Sequence, residues 1–272
     1  MEILTELAGD IYNITLNDPE RRNAQTPATW DELYEISRSI PNGTRFIVLR
    51  GNGKSFSAGL DRAMFTPEGV PGQPSFLDLA SRSDAELDDT IARYQRFFRV
   101  LRDLPQISIA LVQGHAIGAA FQLALACDFT IAEPDTSFAL KESLYGLIPD
   151  LGGTVRFTEI LGYHKSLELI GSGRIIPAPE ALELGLITKI SGHLDIGLEQ
   201  LCSPLRSVLP EALIDAKLLL SGIAYGEEPW VAERRAQSKR LRHLHTLMSQ
   251  QQLLVRRNRT CRWKMPGSCI AL

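Results

Sequence analysis

GHAIGAAFQLALACD, the stretch from Gly114 to Asp128, is small and apolar along nearly its whole length. From Gly118 onward, the polar side chain that interrupts it is Gln122. A helical run without a polar face predicts a helix that is buried on most sides. An amide inside such a helix is unfavourable unless it is hydrogen-bonded or has a function. The stretch therefore predicts a core helix in which Gln122 needs an explanation.

The composition of the chain excludes several classes of protein. Its 272 residues carry a formal net charge of −3, with 44% hydrophobic and 22% charged residues. These values are typical of one large globular domain or a domain with an appendage, and they give no basis for a nucleic-acid partner. No apolar run reaches the ~18–20 residues that cross a bilayer, and the acidic N-terminus lacks the basic region of a signal peptide. We therefore expect a cytoplasmic protein with no membrane partner.

The cysteines give no sign of a metal site. Cys127, Cys202, Cys261 and Cys269 form no CxxC pair and no cysteine–histidine spacing, so we expect reduced thiols and no metal. The last four residues, Cys269 to Leu272, match the C-a-a-X prenylation pattern with basic residues upstream. Four residues are weak evidence, and we interpret this match as a coincidence.

Strand-like and helix-like segments alternate up to about Pro210, beyond which the pattern is helical. Strands are predicted at residues 2–7, 11–17, 45–51, 107–114, 128–134 and 137–140. Thr26-Pro27 predicts one helix start, and Ser83 with Glu86 forms a capping box that predicts another. Alternating strands and helices indicate an α/β fold.

Two further features lie on either side of the second predicted helix start. That helix is predicted to present an apolar face made of Leu87, Ile91, Tyr94, Phe98 and Leu101. Before it, residues 66–82 are rich in proline, glycine and serine, and we expect a mobile loop there.

Two turns made of small residues follow predicted strands, one at Phe56–Asp61 and one at Gly114–Ala120. Small residues let a ligand approach the backbone closely, and a helix start offers unpaired N–H groups. Brought together, the two turns could donate two backbone hydrogen bonds to one oxygen that becomes negative. Tight packing of strand against helix explains either turn equally well when it is considered alone.

Two acids, Glu142 and Asp150, flank the segment SLYGLIP at residues 143–149. Acids in apolar surroundings are unfavourable unless they are paired or useful in catalysis. An ion pair with Lys141 is the alternative explanation for Glu142, although adjacent side chains in an extended segment point in opposite directions.

Taken in order, these segments resemble the crotonase (enoyl-CoA hydratase/isomerase) superfamily over about residues 11–190. The segments that carry the resemblance are ITLNDPERRNA (14–24), GNGKSFSAGLD (51–61), GHAIGAAFQLALACD (114–128), SLYGLIPDLGGT (143–154) and APEALELGLITKI (178–190). The resemblance implies a spiral of ββα repeats over residues 1–205. It also implies a helical region over residues 206–272 that assembles a homotrimer or a hexamer. Residues 255–272 depart from the family, whose acidic helix and Ala-Phe-x-x-Lys-Arg ending are missing.

The resemblance assigns roles to the two turns. It implies that the backbone N–H groups of Leu60 and Ala119 form an oxyanion hole for a thioester oxygen. The residues implied to lie along the CoA moiety are Arg21, Ser57, Ala58 and Asp61. CoA enters as part of the acyl-CoA substrate, and no separate cofactor is expected.

The resemblance also assigns the acids and the glutamine. Gln122 stands where hydratases have their first catalytic glutamate, and Glu142 stands at the second. Asp150 stands where hydratases have glycine and where dienoyl-CoA isomerases and related isomerases have aspartate. An amide is neither a general base nor a useful acid near neutral pH, although it can orient a water molecule or a carboxylate.

We therefore expect an enoyl-CoA isomerase, in which Glu142 removes a proton and Glu142 or Asp150 returns one. A weak or specialised enoyl-CoA hydratase is the alternative among enzymes. A non-catalytic acyl-CoA-binding pseudoenzyme is the alternative from another class.

Overall fold

The computed structural model describes residues 1–224, 234, 235 and 237. The chain divides into two compact units, Met1–Gln200 and Leu201–Leu272. The atypical segment at residues 255–272 and the prenylation-like motif within it lie outside the described residues.

The strands of the described residues form two sheets. Their bounds are β1 Glu2–Ala8, β2 Ile11–Asn17, β3 Phe46–Gly51, β4 Ile107–Val112, β5 His115–Ile117, β6 Phe129–Ala132, β7 Ser137–Ala139, β8 Ile176–Pro177 and β9 Lys189–Ile190. The larger sheet has the order β1-β2-β3-β4-β6-β9, and the smaller has the order β5-β7-β8. In the larger sheet β1 is antiparallel to β2 and the other neighbours are parallel.

Helices connect and cover these strands. Their bounds are α1 Pro27–Ser37, α2 Phe76–Ala80, α3 Asp84–Asp103, α4 Ala119–Ala126, α5 Gly153–Ser172, α6 Ala178–Glu183, α7 Leu194–Arg206 and α8 Pro210–Ala224. Short 3₁₀ turns lie at Pro19–Arg21, Arg62–Phe65 and Glu142–Tyr145. No helix of the described residues is long and apolar enough to cross a bilayer.

The predicted α/β class is confirmed, and so are the ββα repeats. β4 and β5 lead into α4, and β6 and β7 lead into α5. In each repeat the first strand belongs to the larger sheet and the second to the smaller sheet. This arrangement brings the ends of successive repeats to one region, where the two small-residue turns and the acids lie.

The predicted helix starts are correct. Thr26 caps α1 in a capping box with Thr29, and Ser83 caps α3 in a capping box with Glu86. In each box the side-chain oxygen accepts one of the backbone N–H groups that the first helical turn leaves unpaired.

The predicted apolar face of α3 is partly wrong. Ile91 is exposed, whereas Thr90 and Phe97 are buried. The rings of Tyr94 and Phe98 meet Trp30 of α1 edge to face, at centroid distances of 5.3 and 6.1 Å. Contact with α1 therefore decides which face of α3 is buried.

Two helical segments differ from the predicted organisation. Residues 66–82 include α2, because Ser75 and Asp78 form a capping box that the loop-like composition concealed. The long helix α5 lies in the alternating region before Pro210, and the sequence patterns did not predict it individually. Gly162 interrupts α5 with φ 70° and ψ 176°, which breaks the apolar periodicity that would have revealed the helix.

The helix predicted from the opening stretch is confirmed as a core helix. Every residue of α4 is buried. Phe121 packs against Phe138 of β7 and Phe157 of α5, with ring centroids 4.9 and 5.7 Å away. α4 is therefore a fixed support for the side chain of Gln122, which lies inside the protein.

Candidate active site

The two small-residue turns are in direct contact. Gly59 has φ +83°, and a Cβ at this position would lie 2.1 Å from the Ile117 carbonyl oxygen and 3.5 Å from the Ala119 nitrogen. Residues with an L side chain rarely adopt that φ, and none has space here. A bridge between Ser57 and Ala116 joins the same two segments. The small residues therefore allow the two backbones to meet.

In the first turn, the N–H group of Leu60 differs from those of its neighbours. Ala58, Gly59 and Asp61 donate their N–H groups to protein oxygens at 2.8, 3.1 and 2.8 Å. The Leu60 N–H has no acceptor among the described residues. Partly buried backbone donors usually find a partner, so an unused one in a tight turn is available to a ligand.

In the second turn, the unused donor is at the start of α4. Gly118 donates its N–H to the Ala139 carbonyl at 2.8 Å. Ala119 is the first residue of α4, and its N–H has no acceptor in the described part of the chain. First-turn N–H groups lack partners within the helix, and the helix dipole favours negative charge beside them. Each turn thus contributes one free donor, and the two donors belong to Leu60 and Ala119, the residues that the family resemblance implies.

The side chain of Ser57 makes its hydrogen bonds within and around the first turn. It is fully buried. The hydroxyl donates to the Asn23 carbonyl at 2.7 Å and accepts hydrogen bonds from Gln25 Nε2 and the Gly59 N–H at 3.0 and 3.1 Å. Its hydrogen-bonding capacity is therefore used within the protein, and we infer that it shapes the turn.

Arg21 and Asp61, two of the residues expected along CoA, form an ion pair. The other carboxylate oxygen of Asp61 accepts the Ala63 N–H at 2.9 Å. Asp61 is nearly buried, whereas the side chain of Arg21 is about half exposed. Ala58 lies between Ser57 and Gly59 and is partly exposed. Arg21 and Ala58 therefore both contribute to the exposed surface next to this turn.

The side chain of Gln122 connects Glu142 to the turn that follows it. Gln122 Nε2 donates to Glu142 Oε1 at 2.7 Å. Gln122 Oε1 accepts the N–H groups of Leu151 and Gly153 at 2.8 and 3.0 Å. Because two backbone donors must face an oxygen, the orientation of the amide is fixed. Gln122 is therefore buried with its amide hydrogen-bonded on both sides, and it orients the Glu142 carboxyl.

Glu142 lies beside the second turn. A Cβ placed on Gly118 would be 3.2 Å from Glu142 Oε1, so glycine makes room for the carboxyl. Glu142 Oε2 is buried and has no partner among the described residues. The expected alternative, an ion pair with Lys141, is not formed. A buried carboxylate oxygen without a partner is unfavourable, which makes Glu142 a candidate for a functional role.

Both acids have raised pKa values. Burial raises the pKa of the Glu142 carboxyl, while its own backbone N–H and the Gln122 amide oppose the shift, and the charge of Asp150 adds to it. Burial also raises the pKa of Asp150, against a hydrogen bond from its own backbone. Raised pKa values bring carboxyl groups closer to the range in which they exchange protons near neutral pH.

Two side-chain amides that hold the backbone of the site, Asn23 and Gln95, were not predicted from the sequence. Asn23 is fully buried, and its Nδ2 donates to the carbonyls of Asn52, Ser55 and Phe56 at 2.9–3.0 Å. Gln95 of α3 donates its Nε2 to the Asp150 carbonyl at 2.6 Å. Each contact joins residues far apart in the chain, so no local sequence pattern could have revealed it.

Known proteins resemble this chain in sequence and in structure. The family model described as enoyl-CoA hydratase/isomerase matches residues 6–207. The mitochondrial Delta(3,5)-Delta(2,4)-dienoyl-CoA isomerase of Mus musculus is 33% identical over 223 residues, which are 80% of this chain and 67% of that protein. A candidate enoyl-CoA hydratase of Bacillus subtilis is 37% identical over 177 residues, 64% of this chain and 63% of that protein.

Among solved structures, a candidate enoyl-CoA hydratase from Thermobifida fusca in complex with acetoacetyl-CoA is 38% identical. It aligns with a TM-score of 0.82 over 89% of this chain and 95% of that chain.

Proposed function

The chain belongs to the enoyl-CoA hydratase/isomerase family, and from this premise we propose that it shifts a double bond in an acyl-CoA thioester. The mouse relative is named a dienoyl-CoA isomerase, and the Thermobifida structure holds acetoacetyl-CoA. Both names point to CoA thioesters as the substrate class. CoA is then part of the substrate, and the proposal requires no further cofactor.

The two free donors have a defined task in this reaction. The N–H groups of Leu60 and Ala119 bind the thioester oxygen and stabilise the negative charge that it gains when a proton leaves the acyl chain. Preorganised donors aimed at developing charge give one of the largest contributions to catalysis. The contact between the two turns at Gly59 and the missing acceptors of both groups support this role.

The observation that carries the proposal is the carboxyl of Glu142, of which one oxygen is buried without a partner. Its Oε1 accepts the Gln122 amide, whereas its Oε2 has no partner in the described chain. Oε2 is therefore the atom that takes the proton from the acyl chain, and the electron pair of that C–H bond moves into the dienolate. When Glu142 returns the same proton to another carbon, the double bond has moved and the enzyme is unchanged.

Asp150 offers a second route for the returning proton. If a protonated Asp150 supplies it, Glu142 ends the cycle protonated, and one proton must pass from Glu142 to Asp150 before the next turnover. Burial raises the pKa of Asp150, which favours a protonated fraction. Each acid then acts once in each cycle.

Gln122 favours isomerisation over hydration. Adding water to a 2-enoyl-CoA requires a group that deprotonates the water and a proton for the α-carbon. The amide of Gln122 offers neither, because it does not titrate near neutral pH and its oxygen already accepts two backbone N–H groups. Hydration is the second candidate function, because the Bacillus and Thermobifida relatives are named as candidate enoyl-CoA hydratases.

One experiment distinguishes the candidates. The protein is incubated separately with a 3-enoyl-CoA, a 3,5-dienoyl-CoA and a 2-enoyl-CoA, and the products are followed by mass and ultraviolet absorbance. A change in absorbance at constant mass supports isomerisation. A mass gain of one water with the 2-enoyl-CoA, and no isomerisation, would instead support a hydratase. Tight binding of all three esters without turnover would support a pseudoenzyme.

Assembly and location are also proposals. We carry over a homotrimer or hexamer from the family resemblance, and light scattering on the purified protein measures the mass that tests it. We also keep a cytoplasmic location as a proposal, although the mouse relative is named as mitochondrial. Fractionation of the source cells, with detection of this chain, tests the location.

A further inference from the structure

The turn from Asp150 to Gly153 is held by two glutamines from two different helices. Gln95 of α3 donates its amide to the Asp150 carbonyl at 2.6 Å. Gln122 of α4 accepts the N–H groups of Leu151 and Gly153. Three main-chain polar groups of one short turn are therefore bound by two side-chain amides.

The turn depends on these amides because it belongs to no sheet. Residues 147–149 have no regular structure, and residues 150–152 are turns that lead into α5. At Gly153, a Cβ would lie 2.8 Å from Gln122 Oε1, so this glycine permits the close contact. Main-chain groups that lack a ladder partner take their geometry from the side chains that bind them.

The two glutamines project from well-packed supports. Gln95 lies between two buried residues of α3, Tyr94 and Phe97. The residues of α4 on either side of Gln122 are also buried. Gln122 also binds Glu142, so α4 sets the position of that carboxyl. Gln95 acts at the other acid, because its contact is on Asp150 itself.

We propose that Gln95 is a positioning residue for Asp150 and that, with Gln122, it fixes the separation between the two acids. This inference rests on the proposed function, since it concerns the acids of the isomerisation. Gln95 touches the main chain of Asp150 and acts on the reaction through that residue. Small displacements of a reacting group lower turnover strongly, by up to about 10²-fold for 1 Å.

The test compares Gln95→Leu and Gln95→Glu with Arg96→Leu. Leucine removes the donor at similar volume, whereas a protonated glutamate can still donate to the Asp150 carbonyl. Arg96 is the adjacent residue of α3 and binds Asp31 of α1 at 2.9 Å, so its variant removes a contact of the same helix away from the turn. Turnover, KM and their pH dependence are measured for all three variants and the wild type.

For Gln95→Leu we expect kcat to fall by roughly 10–100-fold while KM stays within about threefold, because Asp150 is displaced and the CoA surface is not. The pH profile should also shift to lower pH, because a loosened turn admits water to Asp150 and removes part of the burial that raises its pKa. For Gln95→Glu, kcat relative to the wild type should fall as pH rises, because the ionised glutamate cannot donate. Arg96→Leu should keep the wild-type pH profile.

The inference is overturned if folded Gln95→Leu keeps the turnover and pH profile of the wild type, or if it only loses activity in parallel with Arg96→Leu. If Gln95→Leu does not fold, Gln95→Glu decides, and a pH-independent ratio to the wild type counts against the inference. An inactive wild type would contradict the proposed function. In that case, carboxyl NMR titration of Asp150 in Gln95→Glu and wild type still tests the contact, and identical titration curves would overturn it.

Discussion

Glu142 and Asp150 are two partly buried acids at one site, and they are held in different ways. The carboxyl of Glu142 is oriented by another side chain, because Gln122 donates to its Oε1. Asp150 is held through its main chain, because Gln95 binds its carbonyl and no other residue of the described chain binds its carboxyl. An acid with an oriented carboxyl suits a fixed direction of proton removal. An acid held by its backbone keeps a freer carboxyl, which suits the return of a proton at another carbon.

The largest expected effect separates the two acids directly. Glu142→Gln should lower isomerisation by roughly 10²–10⁴-fold, or about 3–5 kcal/mol of barrier, because the amide cannot accept the proton. Its oxygen can still accept the Gln122 amide, so the fold and CoA-ester binding should survive within a few-fold. Initial rates with a 3-enoyl-CoA and binding of an unreactive acyl-CoA measure the two quantities.

Asp150→Asn is the matched control for that comparison. It should retain more activity than Glu142→Gln if Glu142 is the principal base. A Glu142→Gln variant that keeps most of its rate, beside an inactive Asp150→Asn variant, would reverse the two roles.

The next effect concerns the proposed oxyanion hole, whose donors would stabilise the charge that forms whichever acid moves the proton. Ala119→Pro removes the Ala119 N–H, and proline is favoured at the first position of a helix, so α4 should still form. Turnover should fall by about 10²–10³-fold, as for the loss of one oxyanion donor. Ala119→Gly keeps the N–H and should stay within a few-fold of the wild type. Full activity in folded Ala119→Pro would exclude this N–H from the oxyanion hole.

A smaller effect is expected from converting the amide that orients Glu142 into a third acid. In Gln122→Glu, one oxygen keeps the N–H groups of Leu151 and Gly153, and the other replaces the nitrogen 2.7 Å from Glu142 Oε1. Like charges so close raise the affinity of the pair for a shared proton. That proton could supply the acid that hydration needs, so water addition to crotonyl-CoA and to a longer 2-enoyl-CoA should rise at least ~10-fold, about 1.4 kcal/mol.

Gln122→Met is the control, because it removes the amide without adding an acid, and it should gain no hydration. Rapid hydration by the wild type would show that Gln122 does not prevent this reaction. No gain in a folded Gln122→Glu protein would show that Asp150 or the shape of the pocket selects the reaction.

The smallest expected effect is on stability. The pKa of Asp150 is raised in the folded state, so its contribution to stability is present below the unfolded pKa and is lost as pH rises through the folded pKa. Asp150→Asn should therefore raise Tm near pH 8, where each 1 kcal/mol of stability corresponds to about 2–4 °C. The gain should vanish near pH 4, close to the ordinary carboxyl pKa. Calorimetry at both pH values measures it, and an equal gain at both would exclude ionisation as the cause.

Local patterns were sufficient for much of the fold. The capping residues Thr26 and Ser83 mark helix starts in the sequence, because a cap is made with residues only three positions away. The apolar face of α3 was predicted less well, since Ile91 is exposed and Phe97 is buried. Which face a helix buries depends on its neighbour, here α1, and not on its own period alone.

The sequence by itself determined the α/β class, the buried helix α4, the small-residue turns and the residue types available for the reaction. Each of these follows from composition or from spacing within one segment. Only the tertiary structure decided that Gln122 spans Glu142 and the Leu151–Gly153 backbone, and that Gln95 binds Asp150 from another helix. The physical reason is that a hydrogen bond depends on distance and direction in space, and residues 20 to 55 positions apart acquire these when helices and sheets pack together.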